Sequence, residues 1–210
     1  MAGISNKAGW SIAIAVSLVL AATLAGWVHA GGPLDPPGAP GVTMKSLSEV
    51  EPRTPISSLP FTIPQPGSYY LTGNLGVSTA IDGITVQADD VTIDLNGFEL
   101  NGNGWGFGAV TEGAASPPRR NWRIYNGSIV EWGWALYGPS VSKGQIDHVN
   151  ASGIRTSGPQ LGAGARVSDC SVEGSGTPDG GITTGSGSRV ESCSTRGFDT
   201  GIYVGLHSTV

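Results

Sequence analysis

The chain has little positive charge and little cysteine. Eleven Lys and Arg stand against sixteen Asp and Glu among 210 residues, the formal net charge is −5, and there is no basic run. An acidic surface without a basic run argues against nucleic acid as a partner. Cys170 and Cys193 are the only cysteines. Two cysteines with no nearby histidine or further cysteine argue against a metal site built on them, and we predict none.

Helical periodicity is also missing. In the C-terminal part, 165–210, apolar residues such as Val167 and Val172 sit among Ser, Asp and Gly, and none recur at helical spacing over ten to twelve positions. The regular leucines of a leucine-rich repeat are absent as well. These absences exclude solenoids built from helices. Short β-rich runs bounded by Gly, Ser and Asp predict strands and turns instead.

What the sequence does contain is a repeat. Residues 166–170 (RVSDC) recur as 189–193 (RVESC), and a third copy begins at Ser208. Spacings of 22, 21 and 23 residues separate one apolar position in four successive copies: Ile124, Ile146, Val167 and Val190. A period of this length in a β-rich sequence predicts a parallel β-helix, in which successive coils pair along their length and bury one face of each strand.

We therefore predict one all-β domain, a right-handed parallel β-helix over 67–210, with a loop inserted at 102–119. It would have about five or six coils and be roughly 25–30 Å long. The handedness follows the general rule for parallel crossovers. Val210 falls at the opening of a new coil, so we expect the chain to be truncated there. An uncapped end would favour end-to-end self-association.

The first 66 residues have a different composition. Lys7, an apolar stretch over 12–26 and a small-residue site ending at Ala30 predict a secretory signal peptide over 1–30. The alternative is a retained membrane anchor, which needs about 20 apolar residues. Cleavage would leave a net charge of −6 and a secreted, periplasmic or cell-surface protein without membrane association. Residues 31–66 would form a Pro-rich arm and an N-terminal cap, with a short helix over 44–50.

Several stretches carry a family resemblance. GPLDPPGAP at 32–40, PGSYYLTGNL at 66–75 and DDVTIDLNGFEL at 89–100 resemble the N-terminal region of secreted bacterial right-handed parallel β-helix proteins of the pectin-lyase-like class. The resemblance implies the fold and export. The class contains lyases, hydrolases, epimerases and adhesins, so the resemblance does not fix an activity.

Polysaccharide lyases of this class resemble one another in holding Ca²⁺ with carboxylates, beside a basic residue that abstracts a proton. Ile146-Asp147-His148 resembles a tripeptide of pectate lyases in which the aspartate contributes to the metal site. The resemblance implies Asp147 and His148 as catalytic candidates, with Ca²⁺ as cofactor if the protein is a lyase and no cofactor otherwise. The alternative is an ordinary strand edge, because three-residue motifs recur by chance.

Glycoside hydrolases of this fold need two or three carboxylates on neighbouring coils. The candidate carboxylates are Asp89, Asp90, Asp94, Asp169, Asp179 and Asp199. None stands in the arrangement that those hydrolases share, and turn chemistry is a sufficient explanation for them.

Aromatic residues are concentrated between 105 and 137. Exposed rings on a flat β face can stack on sugar rings, whereas buried rings fill the core. Trp132 and Trp134 lie two apart, on the same face if that stretch is a strand. The residues that we predict to bind carbohydrate are Trp105, Trp132, Trp134 and Tyr137.

Cys170 and Cys193 lie one repeat apart, so the fold stacks them about 4.8 Å apart at Cα. That distance permits a disulfide, and export permits oxidation. Directly stacked parallel strands aim both Cβ atoms the same way, which favours free thiols. Both states stay open.

Two functions compete. The residues supply a repetitive face, aromatic rings and polar side chains, which suffice for a non-catalytic polysaccharide-binding or structural cell-surface module. An enzyme needs a metal cluster with a base, or paired carboxylates at defined separation, and the sequence shows neither. We favour the non-catalytic module. The alternative is a polysaccharide lyase or glycoside hydrolase whose site is completed by coils beyond Val210.

Overall fold

The computed structural model describes residues 52–113, 117–176 and 178–210. The predicted signal peptide, the Pro-rich arm as far as residue 51 and the short capping helix lie outside these residues. Every regular element within the described ranges is a strand. The strands are β1 Thr54–Ile56, β2 Phe61–Ile63, β3 Gly67–Leu71, β4 Leu75–Gly76, β5 Ile84–Val86, β6 Val91–Asp94, β7 Glu99–Asn101, β8 Gly108–Glu112, β9 Arg123–Val130, β10 Trp134–Gly138, β11 Gln145–Ile154, β12 Ser157–Leu161, β13 Arg166–Ser168, β14 Ser171–Gly174, β15 Gly180–Thr184, β16 Arg189–Glu191, β17 Ser194–Arg196 and β18 Thr200–Val204.

The strands pair in parallel and form a β-solenoid of about six turns. Sheet A runs β1-β3-β6-β9-β11-β13-β16, and β4, β7, β14 and β17 extend it around one corner. Sheet B contains β2, β5, β8, β10, β12, β15 and β18 as seven stacked strands. Each complete coil therefore passes once through each sheet. The predicted all-β parallel β-helix is confirmed, while its handedness stays a prediction.

The predicted repeat positions coincide with the strand register. One column of sheet A stacks directly from coil to coil and is at most 2% exposed; its members are Ile93, Ile124, Ile146, Val167 and Val190. β-branched side chains suit a pleated, buried face. Burial of each such side chain stabilises the fold by about 2 kcal/mol, because its apolar surface leaves water. The interval of 21 to 23 residues is therefore the length of one coil.

Backbone with positive φ marks the corners. Asn126, His148, Asp169 and Ser192 occupy the same corner of four successive coils, with φ between 51° and 63°. A left-handed conformation is uncommon outside glycine, and Asn, Asp and His are enriched there. At this corner the polar residues have a backbone role that is independent of any ligand.

Two boundaries differ from the sequence expectations. β1 pairs with β3, and β2 pairs with β5, so the solenoid begins by Thr54 and not at Gly67. β8 lies inside the stretch 102–119 and pairs with both β5 and β10, so that stretch is not wholly an inserted loop. The stretch before Gly67 has no Asn-Gly turn like those at 96–97 and 126–127, although Ile56 and Ile63 fill the same interior. No helix among the described residues has the length and apolar character needed to span a membrane.

Candidate functional site

An open groove of about 300 Å³ lies on the outer side of sheet B. Its lining combines two aromatic side chains, two carboxylates and a hydroxyl: Trp134, Tyr137, Asp82, Glu112 and Thr111. Three successive coils contribute to it, because Asp82 precedes β5, Thr111 and Glu112 belong to β8, and the aromatic residues belong to β10. The groove therefore exists only in the stacked fold.

The two rings of the groove contact each other. Their centroids are 5.5 Å apart and their planes are inclined by 57°. Strict alternation along a strand would place Trp134 and Tyr137 on opposite faces. Ala135 and Leu136 are both buried, however, and Tyr137 remains 38% exposed. The strand thus presents two rings to the outside, and we predict this amphipathic pair to be able to hold a flat, partly apolar ligand such as a sugar ring.

Asp82 is held in place by hydrogen bonds. The backbone N–H of Gly108 donates to Oδ1 at 3.1 Å, and the hydroxyl of Thr111 donates to Oδ2 at 3.2 Å. Glu112 accepts a hydrogen bond from the hydroxyl of Ser140. A carboxylate has about four acceptor positions, so both side chains keep acceptor capacity. A Cβ atom at Gly108 would overlap the Thr111 methyl group, so glycine permits this close arrangement.

A row of mostly hydroxyl-bearing side chains extends from the groove along sheet B. It contains one residue from each stacked strand at a single register position, and its members are Thr62, Thr85, Thr111, Tyr137, Gln160, Thr183 and Tyr203. Neighbouring strands are about 4.8 Å apart, so the row spans roughly 29 Å parallel to the solenoid axis. The row could contact a long polymer laid along this face.

The prediction that Trp132 binds carbohydrate is wrong. Its side chain is 0% exposed, and its indole N–H donates to the carbonyl of Leu100 at 3.0 Å. Glu131, with φ of 58°, turns the chain just before it, and β10 begins only at Trp134. Trp132 and Trp134 therefore do not alternate along one strand. Trp132 fills the core, packed against glycines such as Gly106.

Trp105 is 63% exposed and lies in the corner before β8. Its backbone N–H donates to the carbonyl of Gly102, which closes a tight turn. It is not among the described residues that line the groove. Of the four predicted carbohydrate-binding residues, the structure therefore brings Trp134 and Tyr137 together, buries Trp132 and leaves Trp105 on the surface.

The catalytic candidates Asp147 and His148 lie on sheet A. A depression of about 230 Å³ there is lined by polar and charged side chains together with Ile146: Arg123, Gln145, Asp147, Arg166, Ser168 and Asp169. Burial works to raise the pKa of the Asp147 carboxyl. Hydrogen bonds from Ser168 and His148, together with the charges of His148 and Arg123, outweigh burial and hold that pKa below its ordinary value.

Asp147, His148 and Asp169 each offer a ligand atom, and these atoms lie within 4.8 Å of one another. Ca²⁺ takes six to eight oxygen ligands, and this set offers two carboxylates and one imidazole. Oδ1 of Asp147 already bonds to Nδ1 of His148 and to the hydroxyl of Ser168, both at 2.9 Å. His148 and Asp169 occupy the left-handed corner. Corner geometry and internal hydrogen bonds account for these residues without a metal.

The two cysteines are free thiols in adjacent coils. Cys170 is buried and its Sγ lies 3.0 Å from the carbonyl oxygen of Ser168, whereas Cys193 is partly buried. A hydrogen bond between the thiols, with burial, raises the pKa of Cys170. The same hydrogen bond stabilises the thiolate of Cys193 and lowers its pKa to about 7. The structure agrees with the free-thiol alternative.

Comparisons with protein families, with characterised proteins and with solved structures found no match to this chain. Its function must be argued from the groove itself.

Asp82, Thr111 and Glu112 are the groove residues that sequence reasoning missed. A signal for Asp82 was present: Gly83-Ile84 repeats the Gly-Ile pair found at 181–182 and 201–202. At these three places the pair lies at a sheet B strand, and Asp82 directly precedes the first of them. Glu112 has no comparable signal, because it lies in the stretch interpreted as an insertion.

Proposed function

We propose that this protein is an exported, non-catalytic module that binds a polysaccharide along the outer face of sheet B. The contact between Trp134 and Tyr137 in an open groove with polar walls carries the proposal. Sugar rings combine apolar C–H faces with hydroxyls, so they suit aromatic rings flanked by hydrogen-bonding groups. We further propose the right-handed, pectin-lyase-like form of the β-helix, and export through the N-terminal signal sequence.

The row of side chains on sheet B supports a polymer over a single sugar. Thr85 and Tyr137 belong to the same row, two coils apart, so one chain lying along the axis could meet both. Contacts repeated once per coil raise the total affinity, because a second contact on one chain becomes intramolecular.

The second candidate is a lyase acting on acidic polysaccharides at sheet A. Arg123 and Arg166 beside Asp147 favour it, since guanidinium groups bind carboxylates. Those arginines are already engaged, however. Arg123 lies 3.6 Å from Asp147, and Arg166 is paired with Glu191. We rank this candidate second because substrate would have to displace these ion pairs.

Affinity gel electrophoresis against neutral, basic and acidic polysaccharides tests the proposal. We expect at least one polymer to retard the mature protein, and Trp134→Ala to abolish the retardation while circular dichroism stays unchanged. An assay for unsaturated and reducing ends, with Ca²⁺ added, runs alongside. Release of such ends, abolished by Asp147→Asn, would establish the lyase instead.

A further inference from the structure

The charged groups in the sheet B groove all have one sign. Asp82 and Glu112 are its two ionisable acids, and no Lys or Arg is among the described residues lining it. The depression on sheet A is different, because Arg123 and Arg166 line it together with aspartates. An anionic sugar would therefore meet two carboxylates on sheet B. We propose that the groove binds a sugar unit carrying a protonated amine, an inference that rests on the proposed glycan-binding function.

The carboxylate of Asp82 is set up as a hydrogen-bond acceptor. Its two present partners, the N–H of Gly108 and the hydroxyl of Thr111, both donate to it. An ammonium group has three donors and no acceptor, so it complements the acceptor positions that Asp82 retains. A hydroxyl could also donate to this carboxylate, but it brings no positive charge and would bind more weakly there.

The aromatic pair favours the same ligand. The faces of Trp and Tyr rings carry negative electrostatic potential and attract cations, and Trp is the stronger of the two. Trp134 and Tyr137 form one wall of the groove, with their centroids 5.5 Å apart. A cationic sugar can thus place its ring against the aromatic wall and its amine towards Asp82 or Glu112. The aromatic rings and the carboxylates would therefore bind the same ligand.

Isothermal titration of the mature protein with two matched trimers tests the inference. The β-1,4-linked trimers of glucose and of glucosamine differ only in a hydroxyl or an amine at each C2. At about pH 5.5, carboxylates are ionised and the amine is protonated. We expect the glucosamine trimer to bind about tenfold more tightly, as an ion pair with an added cation–π contact predicts. The preference should shrink in high salt, which screens exposed charges.

Asp82→Asn and Glu112→Gln should each weaken the glucosamine trimer more than the glucose trimer and so reduce the tenfold preference, because each removes a negative charge beside the amine. Asp199→Asn, an exposed acid in the last coil, is the charge-matched control and should change neither affinity. Equal binding of both trimers, or tighter binding of an oligogalacturonate, would overturn the amine preference and leave glycan binding intact. Failure of every oligosaccharide and polymer to bind would remove the proposed function itself.

Discussion

Replacement of Trp132 by alanine should cost more stability than truncation of Trp105, Trp134 or Tyr137, which are partly or largely exposed. The side chain is 0% exposed, and its N–H bonds to Leu100 at 3.0 Å. Loss of a buried tryptophan costs about 3–5 kcal/mol, because the surrounding residues collapse only partly into the cavity. The unpaired Leu100 carbonyl adds about 1 kcal/mol. We expect the free energy of unfolding to fall by about 5 kcal/mol.

Thermal and urea unfolding followed by circular dichroism measure this loss. For a domain of this size the melting temperature should drop by about 10–20 °C, since 1 kcal/mol corresponds to about 2–4 °C. Trp134→Ala is the matched control: its ring is partly exposed and should cost less than about 1.5 kcal/mol. Equal losses for the two variants, or a loss below about 1 kcal/mol for Trp132→Ala, would refute the placement of Trp132 in the core.

Three further predictions follow from packing and titration. Gly158→Ala should prevent folding or sharply lower the melting temperature, because the new Cβ would overlap the carbonyl oxygen of Gly181 in the next coil; normal melting would show that the coils lie further apart. Thiol alkylation should modify Cys193 with a midpoint near its pKa of about 7, and Cys170 only after unfolding; equal rates would contradict the buried position of Cys170. Because the folded pKa of Asp147 is lowered, its carboxylate stabilises the fold above the ordinary carboxyl range near pH 4 and loses that effect as the pH falls through the folded pKa. Asp147→Asn should therefore make the melting temperature depend less on pH in that acid range. An unchanged dependence of melting temperature on pH would count against the hydrogen bonds to Asp147.

The period of the fold could be predicted from sequence because it depends on local chemistry. Ile124, Ile146 and Val167 recur at the length of one coil, and each must face the interior of its own coil. The first coil was harder to predict from the sequence. β1 and β2 are three residues each, β1 contains Pro55, and Pro60 and Pro64 flank β2, so neither shows alternation.

The groove could be predicted only in part. Trp134 and Tyr137 are near neighbours in sequence, and their aromatic character suggested a binding role. Asp82 lies 52 residues before Trp134, and only coil stacking brings them together. The error at Trp132 arose because Glu131 adopts a left-handed conformation, which changes the face on which the following side chains lie. The sequence does not indicate this conformation, because Glu131 is not a glycine.

The measurement that tests the groove most directly compares two tryptophan variants. Affinity gel electrophoresis first identifies a polymer that binds. The dissociation constant of an oligosaccharide of that polymer is then measured for wild type, Trp134→Ala and Trp105→Ala. Trp105 is exposed but does not line the groove. Loss of one stacking ring costs about 1.5 kcal/mol, so Trp134→Ala should raise the dissociation constant about tenfold and Trp105→Ala less than about twofold. A large effect of Trp105→Ala with none from Trp134→Ala would place the binding site elsewhere and contradict the account.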